Sequence, residues 1–157
     1  MICISRSPEQ TQLMGQRLGS LAEPGDVILL TGDLGAGKTT LTQGIAWGLG
    51  VDEYAASPSF VLVREHHGRL PLYHVDLYRL ENLAEIDDLG LDEYFYGRGV
   101  SVVEWAERAP GLLPPERLLI GIRLANLSER TLELVPSGKR YVRLAEQLGD
   151  LCERHAD

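Results

Sequence analysis

Gly32-Asp33-Leu34-Gly35-Ala36-Gly37-Lys38-Thr39 is the stretch whose reading decides the fold. It fits the pattern G-x-x-x-x-G-K-[ST] at every position. A short apolar run, Asp26-Val27-Ile28-Leu29-Leu30, precedes it and reads as a central strand covered on both faces. Lys38 to Leu49 reads as the helix that follows, ended by Gly50. Gly32, Gly35 and Gly37 allow backbone angles that a side chain would forbid, so successive N–H groups can turn inward around an anion. The following helix aims its positive end at the same place. Lys38 can then reach β- and γ-phosphates, and the Thr39 hydroxyl can ligate Mg²⁺.

Outward from the loop, strands and helices mix. Ser7-Pro8-Glu9-Gln10 has a capping residue, a proline suited to the first helical position and a glutamine that can close a capping box. Leu13, Met14, Leu18 and Leu21 continue it as a helical stripe, stopped by Glu23-Pro24-Gly25. Phe60–Val63 and Leu70–Val75 flank His67-Gly68-Arg69 as a hairpin, with Pro71 directing the second strand to an edge or marking its beginning. Residues 82–89 read as a short acidic helix and Val100–Val103 as a buried strand. Leu118–Ile122 and Thr131–Val135 read as paired late strands, and 141–155 as a C-terminal helix. The expected fold class is α/β: a P-loop NTPase-like, mostly parallel central sheet with helices on both faces and antiparallel additions, in a single domain spanning residues 1–157.

Composition narrows the partners. With 44% hydrophobic and 24% charged residues, the chain has the balance of a globular domain. Its net charge of −8 and the lack of any basic run make it a poor lone partner for nucleic acid or an anionic membrane. No apolar stretch approaches a membrane span and the N-terminus lacks a signal-peptide pattern, so a cytoplasmic protein is expected. Cys3 and Cys152, near opposite ends and without C-x-x-C spacing, read as free thiols in a reducing compartment.

The only two lysines are Lys38 and Lys139, so the guanine-reading N-K-x-D element of GTPases cannot be built, and ATP is the expected nucleotide. A P-loop also needs a carboxylate near Mg²⁺, commonly at a strand end. Glu104 ends the cleaner strand and is assigned to the metal or its water. Asp76, ending Leu72-Tyr73-His74-Val75, is expected to bind through water, position the nucleophile or hold Arg79. Ser57-Pro58-Ser59-Phe60 lies where a nucleotide-sensing turn would sit, although from these residues alone an ordinary turn is the better reading. His66, His67 and His74 are read as part of an exposed hairpin rather than a metal site, and Trp105 as a core-edge residue or a base-stacking one.

The series Gly32-Asp33-Leu34-Gly35-Ala36-Gly37-Lys38-Thr39-Thr40, then Ser57-Pro58-Ser59-Phe60, His74-Val75-Asp76-Leu77-Tyr78-Arg79 and Val103-Glu104-Trp105 resembles the bacterial TsaE family, the ATPases of tRNA threonylcarbamoyladenosine biosynthesis. The likeness runs over roughly residues 7–110; Ser59 stands where many relatives carry Thr. The resemblance implies Thr39 and Glu104 at Mg²⁺, with Asp76 and the Ser57–Phe60 segment near the γ-phosphate. It implies an accessory role beside the TsaD–TsaB pair, which transfers threonylcarbamoyl to N6 of adenosine 37 in tRNAs reading codons that begin with A, with tRNA met only indirectly. ATP hydrolysis is expected to be slow in the lone chain. Two rival readings remain: a small-molecule P-loop kinase, and a nucleotide-gated binding module with negligible turnover.

Overall fold

The computed structural model describes residues 1–52 and 63–156. Seven strands among them form one sheet in the order β1-β7-β6-β2-β5-β4-β3. These are β1 (Ile2–Ser5), β2 (Val27–Thr31), β3 (Val63–His66), β4 (Leu72–Asp76), β5 (Val100–Glu104), β6 (Arg117–Leu124) and β7 (Arg130–Ser137). The central four, β6, β2, β5 and β4, run parallel. Strands β7, β1 and β3 are antiparallel additions toward the two edges. The mostly parallel sheet with antiparallel additions is the expected class; of the strand expected at Phe60–Val63, residues 60–62 lie outside the described residues, and β3 begins at Val63.

The helices divide unequally between the faces. Helices α1 (Pro8–Leu21), α2 (Lys38–Gly48) and α5 (Lys139–Ala156) are long. They pack Met14, Leu18, Leu41, Ile45, Leu144 and Leu148 against Ile28, Leu30, Val102 and Ile120 of the sheet. The other face is closed by short elements, α3 (Leu83–Asp87), α4 (Asp92–Phe95) and a 3₁₀ turn (Ala106–Arg108), which bring Ile86, Phe95 and Ala106 over Val27, Leu29 and Val103. Val27 to Leu30 of β2 therefore points buried apolar side chains both ways, which is why this strand is a continuous apolar run rather than an alternating one.

Local signals explain the helix positions. Ser7 Oγ accepts from the Gln10 N–H at 3.1 Å, and Gln10 Oε1 reaches back to the Arg6 N–H at 2.6 Å, one residue beyond a standard capping box. Helices α1 and α2 meet through glycines on both sides, Gly15 and Gly19 against Gly44 and Gly48. A Cβ added at Gly44 would strike the Gln12 carbonyl, so the two backbones approach as closely as glycine permits. That contact fixes the helix that follows the glycine-rich loop.

Two expectations change. Cys3 and Cys152 are joined in a disulfide, not free. Helix α5 returns across β1, and the two sulfurs meet in the interior with the residues 1% and 4% exposed. Distance along the chain, 149 residues, was no guide to distance in space. The hairpin of β3 and β4 is also not exposed throughout: His66 and His74 are buried, while His67 faces solvent. The register sets His66 across from Leu72, a core residue, and alternation puts His74 on the same face. Pro71 lies just before β4, where its missing N–H costs no ladder bond, and its carbonyl accepts from Val100 N at 2.8 Å. Strand β1 was not foreseen; only alternation over four residues marks it.

Candidate functional site

The site forms at the carboxyl ends of the parallel strands β2, β5 and β4, where ligands of open α/β sheets generally bind. Gly32, Gly35 and Gly37 all have positive φ, at 144°, 80° and 117°. Gly37 stands before α2 in a left-handed conformation, with no side-chain cap on the helix. The first N–H groups of α2 thus face the loop, a ready anion site. Arg130, from β7, donates through Nε to the Ala36 carbonyl at 2.9 Å and braces the loop from outside, a contact that no sequence signal announced.

Lys38 folds over its own loop. Its Nζ donates to the carbonyls of Gly32 and Asp33, the latter at 2.8 Å, and lies 4.0 Å from the centre of the Trp105 ring. Burial holds its pKa below the usual 10.5, although the carboxylates of Glu104, Glu107, Asp76 and Asp33 oppose that shift. Trp105 is the one non-glycine residue with positive φ among the described residues, at 61°. Such a conformation costs a non-glycine residue about 1–3 kcal/mol and persists where the surroundings fix it. Here the indole is held between Lys38 and the Tyr78 ring, whose centre is 4.8 Å away. The ring is a wall of the lysine site, which neither of the two sequence readings had specified.

The two carboxylates meet as the strands dictate. Asp76 and Glu104 are register partners at the ends of β4 and β5, and Leu30 pairs with Glu104 from β2. Both acids are buried. Thr39 Oγ1 donates to Glu104 Oε1 at 3.1 Å. Glu104 Oε2 is hydrogen-bonded to His74 Nε2, from β4. Asp76 Oδ1 accepts from the Tyr78 N–H at 2.9 Å, which fixes the turn leaving β4. Thr39, Glu104, Asp76 and Lys38 therefore lie together at the ends of β2, β4 and β5. His74 belongs with them, brought to Glu104 by the parallel pairing of β4 with β5. Ser57-Pro58-Ser59-Phe60 lies outside the described residues.

Among the described residues no group of three or more His, Cys, Asp or Glu side chains forms a metal cluster. The oxygens of Thr39, Glu104 and Asp76 nevertheless suit Mg²⁺, a hard cation that takes one or two carboxylates and completes its shell with water and phosphate. Among the described residues, no helix is long and apolar enough to cross a membrane.

A family model described as threonylcarbamoyl adenosine biosynthesis protein TsaE matches residues 5–132. The chain belongs to the TsaE family. It is 49% identical over 143 residues to the tRNA threonylcarbamoyladenosine biosynthesis protein TsaE of Bacillus subtilis, covering 90% of this chain and 89% of that one. The protein of the same description from Treponema pallidum is 46% identical over 124 residues, 79% of this chain and 92% of the relative. The crystal structure of Bacillus subtilis YdiB superimposes with a TM-score of 0.83 at 42% identity, covering all of this chain and 96% of the other. That likeness extends to the late strands and α5, beyond the stretch in which the TsaE motifs are found, and it agrees with a P-loop NTPase-like fold.

Proposed function

We propose that this TsaE-family chain binds ATP with Mg²⁺ at the loop Gly32–Thr40 and hydrolyses it in support of threonylcarbamoylation of adenosine 37, in tRNAs reading codons that begin with A. The observation that carries the reading is the convergence of Lys38, Thr39 and Glu104: a loop lysine, and a hydroxyl–carboxylate pair at the end of a parallel strand. Lys38 would exchange the Gly32 and Asp33 carbonyls for phosphate oxygens. Thr39 and Glu104 would hold Mg²⁺, which when bound offsets the charge of the phosphates. Asp76, the register partner of Glu104, would orient water. Glu107 Oε2 also reaches the loop, accepting from the Gly32 N–H at 3.3 Å, and turnover by the lone chain is expected to be slow.

The TsaD–TsaB pair is the proposed partner and performs the transfer itself. The net charge of −8 supports a role in which another subunit holds the tRNA. The cytoplasm is the matching compartment. The test is ATP hydrolysis by the chain alone and with purified TsaD–TsaB, with Glu104→Gln as control. Stimulation by the pair that is lost in the variant supports the reading. Equal rates with and without the pair remove the partnership, and a phosphorylated small product would replace it with a kinase.

A further inference from the structure

The 3₁₀ turn Ala106–Arg108 directly follows Glu104-Trp105, and its two charged residues reach two parts of the site. Glu107 Oε2 accepts from the Gly32 N–H at 3.3 Å, which ties the turn to the glycine-rich loop. Arg108 lies instead over the aromatic pair beside Lys38. Its guanidinium carbon is 5.2 Å from the centre of the Tyr78 ring and 5.6 Å from that of Trp105. The same indole has Lys38 Nζ at 4.0 Å, so two cations share one ring at the end of β5. Arg108 is exposed, and its side chain is tethered by a hydrogen bond from Nη1 to the Leu80 carbonyl at 3.2 Å. Among the described residues no carboxylate pairs with it, whereas Arg140 and Arg143 both hold acids.

A guanidinium is always charged, weakly hydrated and suited to phosphate oxygens. Here one rests on aromatic faces and a backbone carbonyl, one ring away from the lysine of the anion loop. We infer that Arg108 is a further catalytic residue of the proposed ATP site, an arginine supplied by the chain itself that donates to the γ-phosphate oxygens during transfer to water. The inference rests on that site. In the step, the water oxygen bonds to the γ-phosphorus. The bond from that phosphorus to the bridging oxygen breaks, its electron pair passes to ADP, and a water proton leaves to solvent. Negative charge is spread over the γ-oxygens as this happens, and an arginine at that point lowers the barrier. Lys38 grips the phosphates before and during the step. Arg108 engages only as the charge develops, so it raises the rate without tightening ADP. Its resting tether to Leu80 accords with slow turnover by the lone chain.

The test separates charge from tether. ATP hydrolysis is measured for the wild type, Arg108→Ala, Arg108→Gln and Arg108→Lys. Mg²⁺-ADP is titrated calorimetrically into each, with and without aluminium fluoride, which mimics the γ-phosphoryl group in transit. Because Arg108 is exposed, the variants keep the fold, which thermal unfolding verifies. Arg108→Ala and Arg108→Gln are expected to lower kcat about a hundredfold and to keep KM and ADP affinity within about twofold. Both are also expected to lose most of the extra affinity that aluminium fluoride confers, and Arg108→Lys to recover part of each loss. Glutamine keeps a donor for the Leu80 carbonyl but no charge, so wild-type kcat in Arg108→Gln overturns the inference in favour of a tether. Unchanged kcat in Arg108→Ala, or an equal loss of ADP with and without aluminium fluoride, overturns it as well while the ATP site stands. Failure of the wild type to bind Mg²⁺-ADP overturns the ATP site and the role of Arg108 with it.

Discussion

Thr39 Oγ1 donates a hydrogen bond of 3.1 Å to Glu104 Oε1, joining the first turn of α2 to the end of β5 across 65 positions of sequence. The bond exists because parallel pairing of β2 with β5 sets Leu30 beside Glu104, so the residues that follow β2 arrive over the carboxylate. A hydroxyl and a carboxylate held together in this way are oxygen donors of the kind the proposed Mg²⁺ would take, with water and phosphate completing its shell.

Glu104→Gln preserves the shape and removes the charge. It is expected to keep nucleotide binding within a few-fold and to lower ATP turnover roughly a hundredfold, the usual scale for losing one electrostatic stabiliser of a transition state. Steady-state phosphate release and nucleotide titration on the same preparation check this. Turnover close to that of the wild type would move the metal role to Asp76.

His74 Nε2 holds the other oxygen of Glu104 and thereby fixes the carboxylate's rotation. Its Nδ1 is buried with no hydrogen-bond partner among the described residues, so the ring has no competing engagement. Loss of a group that orients a metal ligand typically costs 10–100-fold in metal affinity or activity. His74→Ala should raise the Mg²⁺ concentration needed for half-maximal turnover about tenfold, and His74→Gln, which keeps a donor, should recover part of it. A folded His74→Ala protein with unaltered Mg²⁺ dependence would show that Glu104 needs no such support.

The Cys3–Cys152 bridge ties β1 to α5 around a loop of almost the whole chain. Loop-closure entropy makes such a cross-link stabilising by about 2–4 kcal/mol. Urea unfolding with and without reductant, with thiols counted in the unfolded protein, is expected to show a lower midpoint after reduction. The bridge shares no residue with the loop Gly32–Thr40, so ADP affinity should be unchanged. Equal midpoints for protein with two free thiols and with none would contradict the stabilising role.

Gly44→Ala sets two effects against each other. Alanine favours a helix over glycine by about 1 kcal/mol. Its methyl group, however, would meet the Gln12 carbonyl, carbon and Cα, all backbone atoms that cannot rotate aside. Overpacking of this kind costs about 1–3 kcal/mol, so the clash should dominate and the thermal midpoint should fall by several degrees. A rise would mean that α1 and α2 separate without strain.

Much of this was legible before the structure, for identifiable reasons. The loop announces itself because glycine, lysine and threonine at fixed spacing have few other uses, and β2 because a strand buried on both faces must be apolar throughout. Glu104 and Asp76 were singled out because acids that end apolar runs stand out, and the strand register sets them side by side. His74 was passed over because a histidine in an alternating strand carries no mark of its face; only the pairing of β4 with β5 reveals that it reaches Glu104. The disulfide was misread because composition speaks to compartment, not to which ends of the chain pack together. Arg130 follows a hairpin connection whose approach to the loop depends on β6 pairing with β2.

The most direct test of the central claim, that the loop Gly32–Thr40 is an ATP site depending on Lys38, is calorimetric titration of Mg²⁺-ATP into the wild-type protein and Lys38→Ala. The account predicts saturable binding of one ATP per wild-type chain and a loss of about a hundredfold or more in affinity in the variant. Equal affinity in the two proteins would contradict it.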